Sequence, residues 1–166
     1  MKYLTFQYCA FHSLMGRIID WGTQGDVGHV GLVLDDGSIL DAQHEDDLGG
    51  QPSGVWIRLA GYMEKCGGFN LKRTTVPVTD GEWSAAMDWA NSMIGVPYDT
   101  DAIIGIAEGK NLSTPGKLIC SGFCSGILTQ PDPPVIKYPL ARPWRIVTPE
   151  QHLILTSSMA PVQLVG

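Results

Sequence analysis

Cys120 stands in the run Leu118-Ile119-Cys120-Ser121-Gly122-Phe123-Cys124, after a loop rich in glycine, proline and serine and ahead of a short apolar stretch of helical character. Far upstream, Gly28-His29-Val30-Gly31-Leu32-Val33-Leu34 puts a histidine at the head of a strand. A cysteine at a helix start and a histidine on a strand are the minimum kit for a thiolate nucleophile. The helix N-terminus and a nearby imidazolium both favour the charged sulfur, which is the reactive form. The residues therefore point to acyl chemistry with Cys120 as nucleophile and His29 as base. Ser121 and Gly122 are small and leave room for a substrate, and the free backbone N–H groups of a helix start suit an oxyanion. The rival reading of Cys120 is a buried structural thiol, because free cysteines are among the most buried residues.

A catalytic imidazole needs its second nitrogen held by a carboxylate or amide. Asp35-Asp36-Gly37 is a hairpin signal between two strand-like runs, His29 to Leu34 and Ser38 to Gln43. A turn centred on Asp36 pairs position 29 with about 43 and position 31 with about 41, which returns Asp41 near His29. Asp41 lies between Leu40 and Ala42, an odd place for a solvated charge. Gln43 has the same strand parity and is the rival orienting group. Asp41 ranks first and Gln43 second.

The remaining ionisable residues read as less eventful. Cys9, Cys66 and Cys124 suit small core positions. A zinc site built from Cys120, Cys124 and histidines is a weaker rival. His44 with Glu45, Asp46 and Asp47 matches no ordered metal spacing and reads as a solvated acidic loop. No metal and no cofactor is expected. His12 and His152 have no partners that the sequence identifies.

Elements must hold Cys120, His29 and Asp41 together. Lys2 to Tyr8 alternates like a strand, and Ser13 caps a short helix carrying Leu14, Ile18 and Trp21 on one face. Val55 to Leu59 and Phe69 to Val78 read as further strands. Thr79-Asp80-Gly81-Glu82 is a capping box launching a helix that Gly95 and Pro97 end. A second helical piece, Asp101 to Glu108, precedes a loop from Gly109 to Gly116, and the Cys120 helix fades at Pro131. Thr148-Pro149-Glu150 offers one more helix start. A β-rich first half and a helical second half predict an α+β fold with an antiparallel sheet.

The chain has 166 residues, 44% hydrophobic and 17% charged, which suits a single globular domain spanning residues 1–166. The net charge of −6, with no basic run, argues against binding nucleic acid through its phosphates. No stretch nears the roughly 18 apolar residues of a membrane span, and Met1 to Tyr8 does not read as a secretory signal. A cytoplasmic location is the expectation. The partner is expected to be a small-molecule or peptide substrate, and the acidic loop from Glu45 to Asp47 favours one bearing an amine.

Four segments in order resemble the circularly permuted papain-like hydrolases of the NlpC-type superfamily, especially the YiiX-like branch, with lecithin–retinol acyltransferase more distant. They are Gly28-His29-Val30-Gly31-Leu32-Val33, Ile39-Leu40-Asp41-Ala42, Gly95-Val96-Pro97-Tyr98-Asp99 and Cys120-Ser121-Gly122-Phe123. Ile146-Val147-Thr148-Pro149 resembles the closing segment of that group. The resemblance implies a permuted papain-like fold, an antiparallel sheet or barrel packed on the helix that bears Cys120. It implies Cys120 as nucleophile, His29 as base and Asp41 at the third polar position, with amide or ester substrates. Acyl transfer and a non-catalytic binding module are its alternatives. Asp41 is one methylene shorter than the glutamate usual in this branch. Gly122 replaces the common glutamate after Cys-Ser, which would open the cleft or alter specificity. Tyr98 and Asp99 match a segment placed near the site, where Tyr98 is a lining candidate.

Overall fold

The computed structural model describes residues 1–11, 25–44, 51–138, 140 and 142–165. Six strands form one antiparallel sheet: β1 (Lys2–Ala10), β2 (His29–Val33), β3 (Ile39–Gln43), β4 (Gly54–Arg58), β5 (Phe69–Val78) and β6 (Val162–Leu164), in the order β4-β3-β2-β1-β5-β6. The helices are α1 (Tyr62–Lys65), α2 (Asp80–Ser92), α3 (Thr100–Ala107), α4 (Cys120–Thr129) and α5 (Pro149–Ser157), with a 3-10 turn at Trp144–Ile146. The α+β architecture matches the expectation. A closed barrel does not, because β4 and β6 are the two ends of an open strand order. Helix α1 and strand β6 were not foreseen, and the Ser13 helix and the Glu45–Asp47 loop lie outside the described residues.

The hairpin keeps the register that the turn at Asp36 dictates. Leu32 faces Leu40 and Val33 faces Ile39, which carries on to 31 opposite 41. Gly31 is needed at that crossing. A Cβ there would sit 2.5 Å from Ile39 Cγ2 and 3.0 Å from Asp41 Cβ, so any side chain would push β3 and its carboxylate away.

Strand β1 is central and buried on both faces. Its even positions, Leu4, Phe6 and Tyr8, join Val30, Leu32, Leu40, Ala42 and Val55 in the main core, where Phe123, Cys124, Ile127 and Leu128 of α4 pack. The opposite face carries a smaller cluster of Cys9, Ile39, Tyr62 and Met63, closed by α1. Two capping boxes fix the helices around the main core. Thr79 Oγ1 accepts from Glu82 N while Glu82 Oε2 accepts from Thr79 N, and Thr148 with Gln151 repeats the exchange ahead of Pro149.

Gly122 holds α4 against the 3-10 turn. A Cβ at this position would lie 2.8 Å from the backbone oxygen of Arg145. The expectation that Gly122 opens a cleft is thus corrected: its missing side chain admits a neighbouring backbone, and the residue is buried.

A polar knot sits inside the main core. The Tyr8 hydroxyl lies 2.7 Å from Thr156 Oγ1, 2.8 Å from His152 Nδ1 and 3.3 Å from Thr74 Oγ1, with all four residues buried. Burial drives the His152 imidazole down to about 3, against a smaller opposing pull from the Cys124 backbone. His152 is therefore neutral in the folded protein.

Three variants check this picture. Gly122→Ala should lower unfolding stability by about 1–3 kcal/mol in urea titrations, the usual cost of overpacking. Gly81→Ala, at an open helical position with no atom within 4 Å, should be neutral or raise stability by about 0.5–1 kcal/mol. For His152, the unfolded chain binds a proton near 6.5 and the folded chain only near 3. Its contribution is thus intact above pH 6.5 and is lost as pH falls through that window. His152→Gln should show a shallower loss of stability between pH 6.5 and 3; an unchanged slope would remove His152 as the cause.

Candidate active site

Asp41 is fully buried, and both its carboxylate oxygens are engaged. Oδ2 lies 2.7 Å from His29 Nε2, and Oδ1 accepts a 2.8 Å hydrogen bond from Arg58 Nε. Two cationic partners offset the desolvation that a lone buried carboxylate would suffer. Arg58 also donates from Nη2 to the Gly54 carbonyl at 3.2 Å and lies over the Tyr62 ring, 5.3 Å from its centroid. Helix α1 thus covers the ion pair from outside.

With Nε2 occupied by Asp41, Nδ1 is the imidazole nitrogen left for a second partner. The Cys120 side chain, itself buried, is near enough for its charge to act on the ring. Burial by itself pulls the His29 imidazole down. The Cys120 charge and the bonds to Asp41 and Cys120 outweigh it and push the group up to about 10. An imidazolium between a sulfur and a carboxylate is the favoured state at neutral pH. Phe11 stands beside the ring at 5.7 Å between centroids.

Cys120 is the first residue of α4, behind Ile119, whose side chain makes no capping bond. The first amides of α4 therefore have no side-chain acceptor from the N-cap, and the helix dipole favours negative charge there. The approach to Cys120 is pinned by residues 97–99. Leu118 N donates to the Pro97 carbonyl, and Asp99 N to the Leu118 carbonyl, both at 3.0 Å, around a parallel bridge between Tyr98 and Leu118. Asp99 is buried. Its Oδ1 caps α3 by accepting from Ala102 N at 3.2 Å, and its Oδ2 accepts from Thr114 N at 2.7 Å.

Tyr98 is nearly buried beside Cys120. Burial first, then the charges of Cys120, Asp41 and Asp99, push its hydroxyl well above the ordinary phenol value, so it stays a neutral donor. The His44 ring meets Tyr98 edge-on at 5.7 Å, which puts His44 at the half-buried margin of this group.

The other expected positions fall as follows. Gln43 is half-buried, and its carbonyl accepts from Ser53 Oγ at 3.4 Å; Asp41 is the residue bonded to His29. Ser121 is fully buried, and its Oγ has no hydrogen-bond partner among the described residues. Cys124 directs its sulfur to the Val30 carbonyl at 3.8 Å, away from a shared metal position. Burial first, then the nearby Cys120 and Asp41, push the Cys124 thiol up, and burial does the same to Cys9. Burial thus favours the neutral thiol at both positions. Among the described residues, no three His, Cys, Asp or Glu side chains gather to hold a metal ion, and no helix is long and apolar enough to cross a membrane.

Arg58 is the functional-site neighbour that the sequence alone did not reveal. The available signal was parity: in Val55-Trp56-Ile57-Arg58 the arginine shares its face with Trp56, which pairs with Asp41.

No protein-family model matches this chain, and no curated protein matches it. Among solved structures, the metalloprotein YiiX from Escherichia coli O157:H7, a DUF1105 protein, shares its fold. The match has a TM-score of 0.56 at 12% identity and covers 99% of this chain and 96% of that chain. The likeness is one of fold, and on it the chain has a YiiX-like α+β architecture.

Proposed function

We propose that this chain is a thiol-dependent hydrolase with a circularly permuted papain-like fold, acting through an acyl-enzyme on Cys120. One observation carries the reading: His29 Nε2 lies 2.7 Å from the buried Asp41 carboxylate, and the ring is near enough to Cys120, at the start of α4, to feel its charge. The near full-length likeness of fold to YiiX supports it. A triad is defined by geometry, so the chain order His29, Asp41, Cys120 is no obstacle.

In this reading His29 and Cys120 form an imidazolium–thiolate pair. The sulfur attacks the carbonyl carbon of an amide or ester, and the carbonyl electrons move to oxygen. The amides at the start of α4, including those of Cys120 and Ser121, and the Tyr98 hydroxyl stabilise that oxyanion. His29 gives its proton to the leaving amine or alcohol, and the thioester forms. His29 then takes a proton from a water whose oxygen bonds to the acyl carbon, the C–S bond breaks, and the acid leaves with the imidazolium–thiolate pair restored. General-base assistance contributes about 10²–10⁴-fold, and one oxyanion donor about 10²–10³-fold. The substrate is a small molecule or peptide.

An activity-based thiol probe and a panel of amides and esters test the proposal. Cys120→Ala should lose turnover by about 10³-fold or more and lose iodoacetamide labelling at Cys120. Product that forms only with an added amine or alcohol would reassign the site to acyl transfer. A wild-type Cys120 that resists iodoacetamide at neutral pH would reduce the chain to a binding module.

The pH profile has a defined sign. The leaving group needs the His29 proton, held up to about 10. The alkaline limb of kcat/KM should therefore fall near pH 10. Asp41→Asn removes a cause of that elevation and should move the limb downward; a limb fixed in place would exclude His29 as the donor. Tyr98→Phe should lower kcat about 10- to 100-fold with little change in KM, and an equal loss in KM would assign the ring to substrate binding instead.

A further inference from the structure

Arg58 deepens that reading, on which its role rests. It is buried on β4, seventeen residues from Asp41 in sequence, yet it binds Asp41 Oδ1 at 2.8 Å while His29 binds Oδ2 at 2.7 Å. Its own placement is fixed on two further sides, by the Gly54 carbonyl at 3.2 Å and by the Tyr62 ring. The carboxylate can rotate about its last bond only by breaking the Arg58 contact. With Oδ1 held, Oδ2 has one direction left, and that direction is His29 Nε2.

We propose that Arg58 is a positioning residue that acts through Asp41, locking the carboxylate so that His29 presents its other nitrogen to Cys120. The shorter aspartate makes the lock consequential. An aspartate carboxylate reaches one methylene less far than a glutamate, so its bond to His29 depends more on where its second oxygen is anchored. A guanidinium suits this better than an ammonium, because its planar fork fixes direction as well as charge.

The test uses the full chain as wild type, Arg58→Lys, Arg58→Met, Asp41→Asn and the Asp41→Asn/Arg58→Met double variant. Three readouts are taken: kcat/KM on the best substrate of the panel, the rate of iodoacetamide labelling at Cys120 by peptide mass, and the proton NMR signal of His29 Nε2–H. Arg58→Met should lower both rates about 10- to 100-fold, the usual cost of losing an orienting partner one shell out, and broaden the Nε2–H signal. Arg58→Lys should restore part of each. The double variant should be no slower than Asp41→Asn alone, because Arg58 has nothing left to position.

Wild-type rates and signal in Arg58→Met would overturn the proposal, as would losses that multiply in the double variant. If Arg58→Met fails to fold, a folded Arg58→Lys with wild-type rates and signal overturns it equally. The two readings fail separately. A wild type without turnover, whose Nε2–H signal is nevertheless lost in Arg58→Met, sinks the hydrolase and keeps the lock. An active wild type with multiplying losses sinks only the lock.

Discussion

A carboxylate shut away from water must find its counter-charges in the protein, and Asp41 finds two. Each oxygen has a cationic partner within 2.8 Å, and the group has no solvent exposure. Removing one partner of such a pair typically costs about 3–5 kcal/mol, because the other charge stays buried. The surrounding architecture serves this constraint. Gly31 leaves the space Asp41 occupies, β4 brings Arg58 alongside, and α1 places Tyr62 over the guanidinium. The result is a row of four side chains: Cys120, His29, Asp41 and Arg58.

The row crosses from one layer of the molecule to the other. Asp41 and Arg58 belong to the sheet face covered by α1, and His29 shares their strand parity opposite Cys9. Cys120 comes from α4, which packs on the other face. His29 is the first residue of β2, where the strand has just begun and a side chain can still reach round the sheet margin. That position explains how a histidine held by one layer can approach a cysteine supplied by the other. Cys124, one turn deeper on α4, points its sulfur at the Val30 carbonyl instead.

Local signals in the sequence carried much of this. The Asp35-Asp36-Gly37 turn set the register that returns Asp41 toward His29, because strand pairing around a tight turn has one free parameter. Thr79 with Glu82 and the Thr148-Pro149 start marked helix ends through bonds that are local by nature. Less legible were features whose cause lies far along the chain. Helix α1 is only four residues long and begins after Gly61 in the left-handed region, with no side-chain cap, so no periodic pattern announces it. Strand β6 pairs with β5 from the far end of the chain. Gly122 looked like an opening because a glycine beside a nucleophile suggests space. Only the Arg145 backbone, brought in by the 3-10 turn, shows what fills it. Arg58 was hidden for the same reason: its partner is set by a third strand.

Asp99 ties two movements into one. The same carboxylate that starts α3 also grips the Thr114 amide in the segment leading to Cys120. Residues 109–116 cannot lift away as an independent flap while that grip holds. To swing outward they must release Oδ2, leaving a buried acid with one neutral donor and weakening the first turn of α3 in the same event. Outward movement of this segment is therefore coupled to fraying of a helix, and the two amides, Ala102 and Thr114, would lose their protection from solvent exchange together.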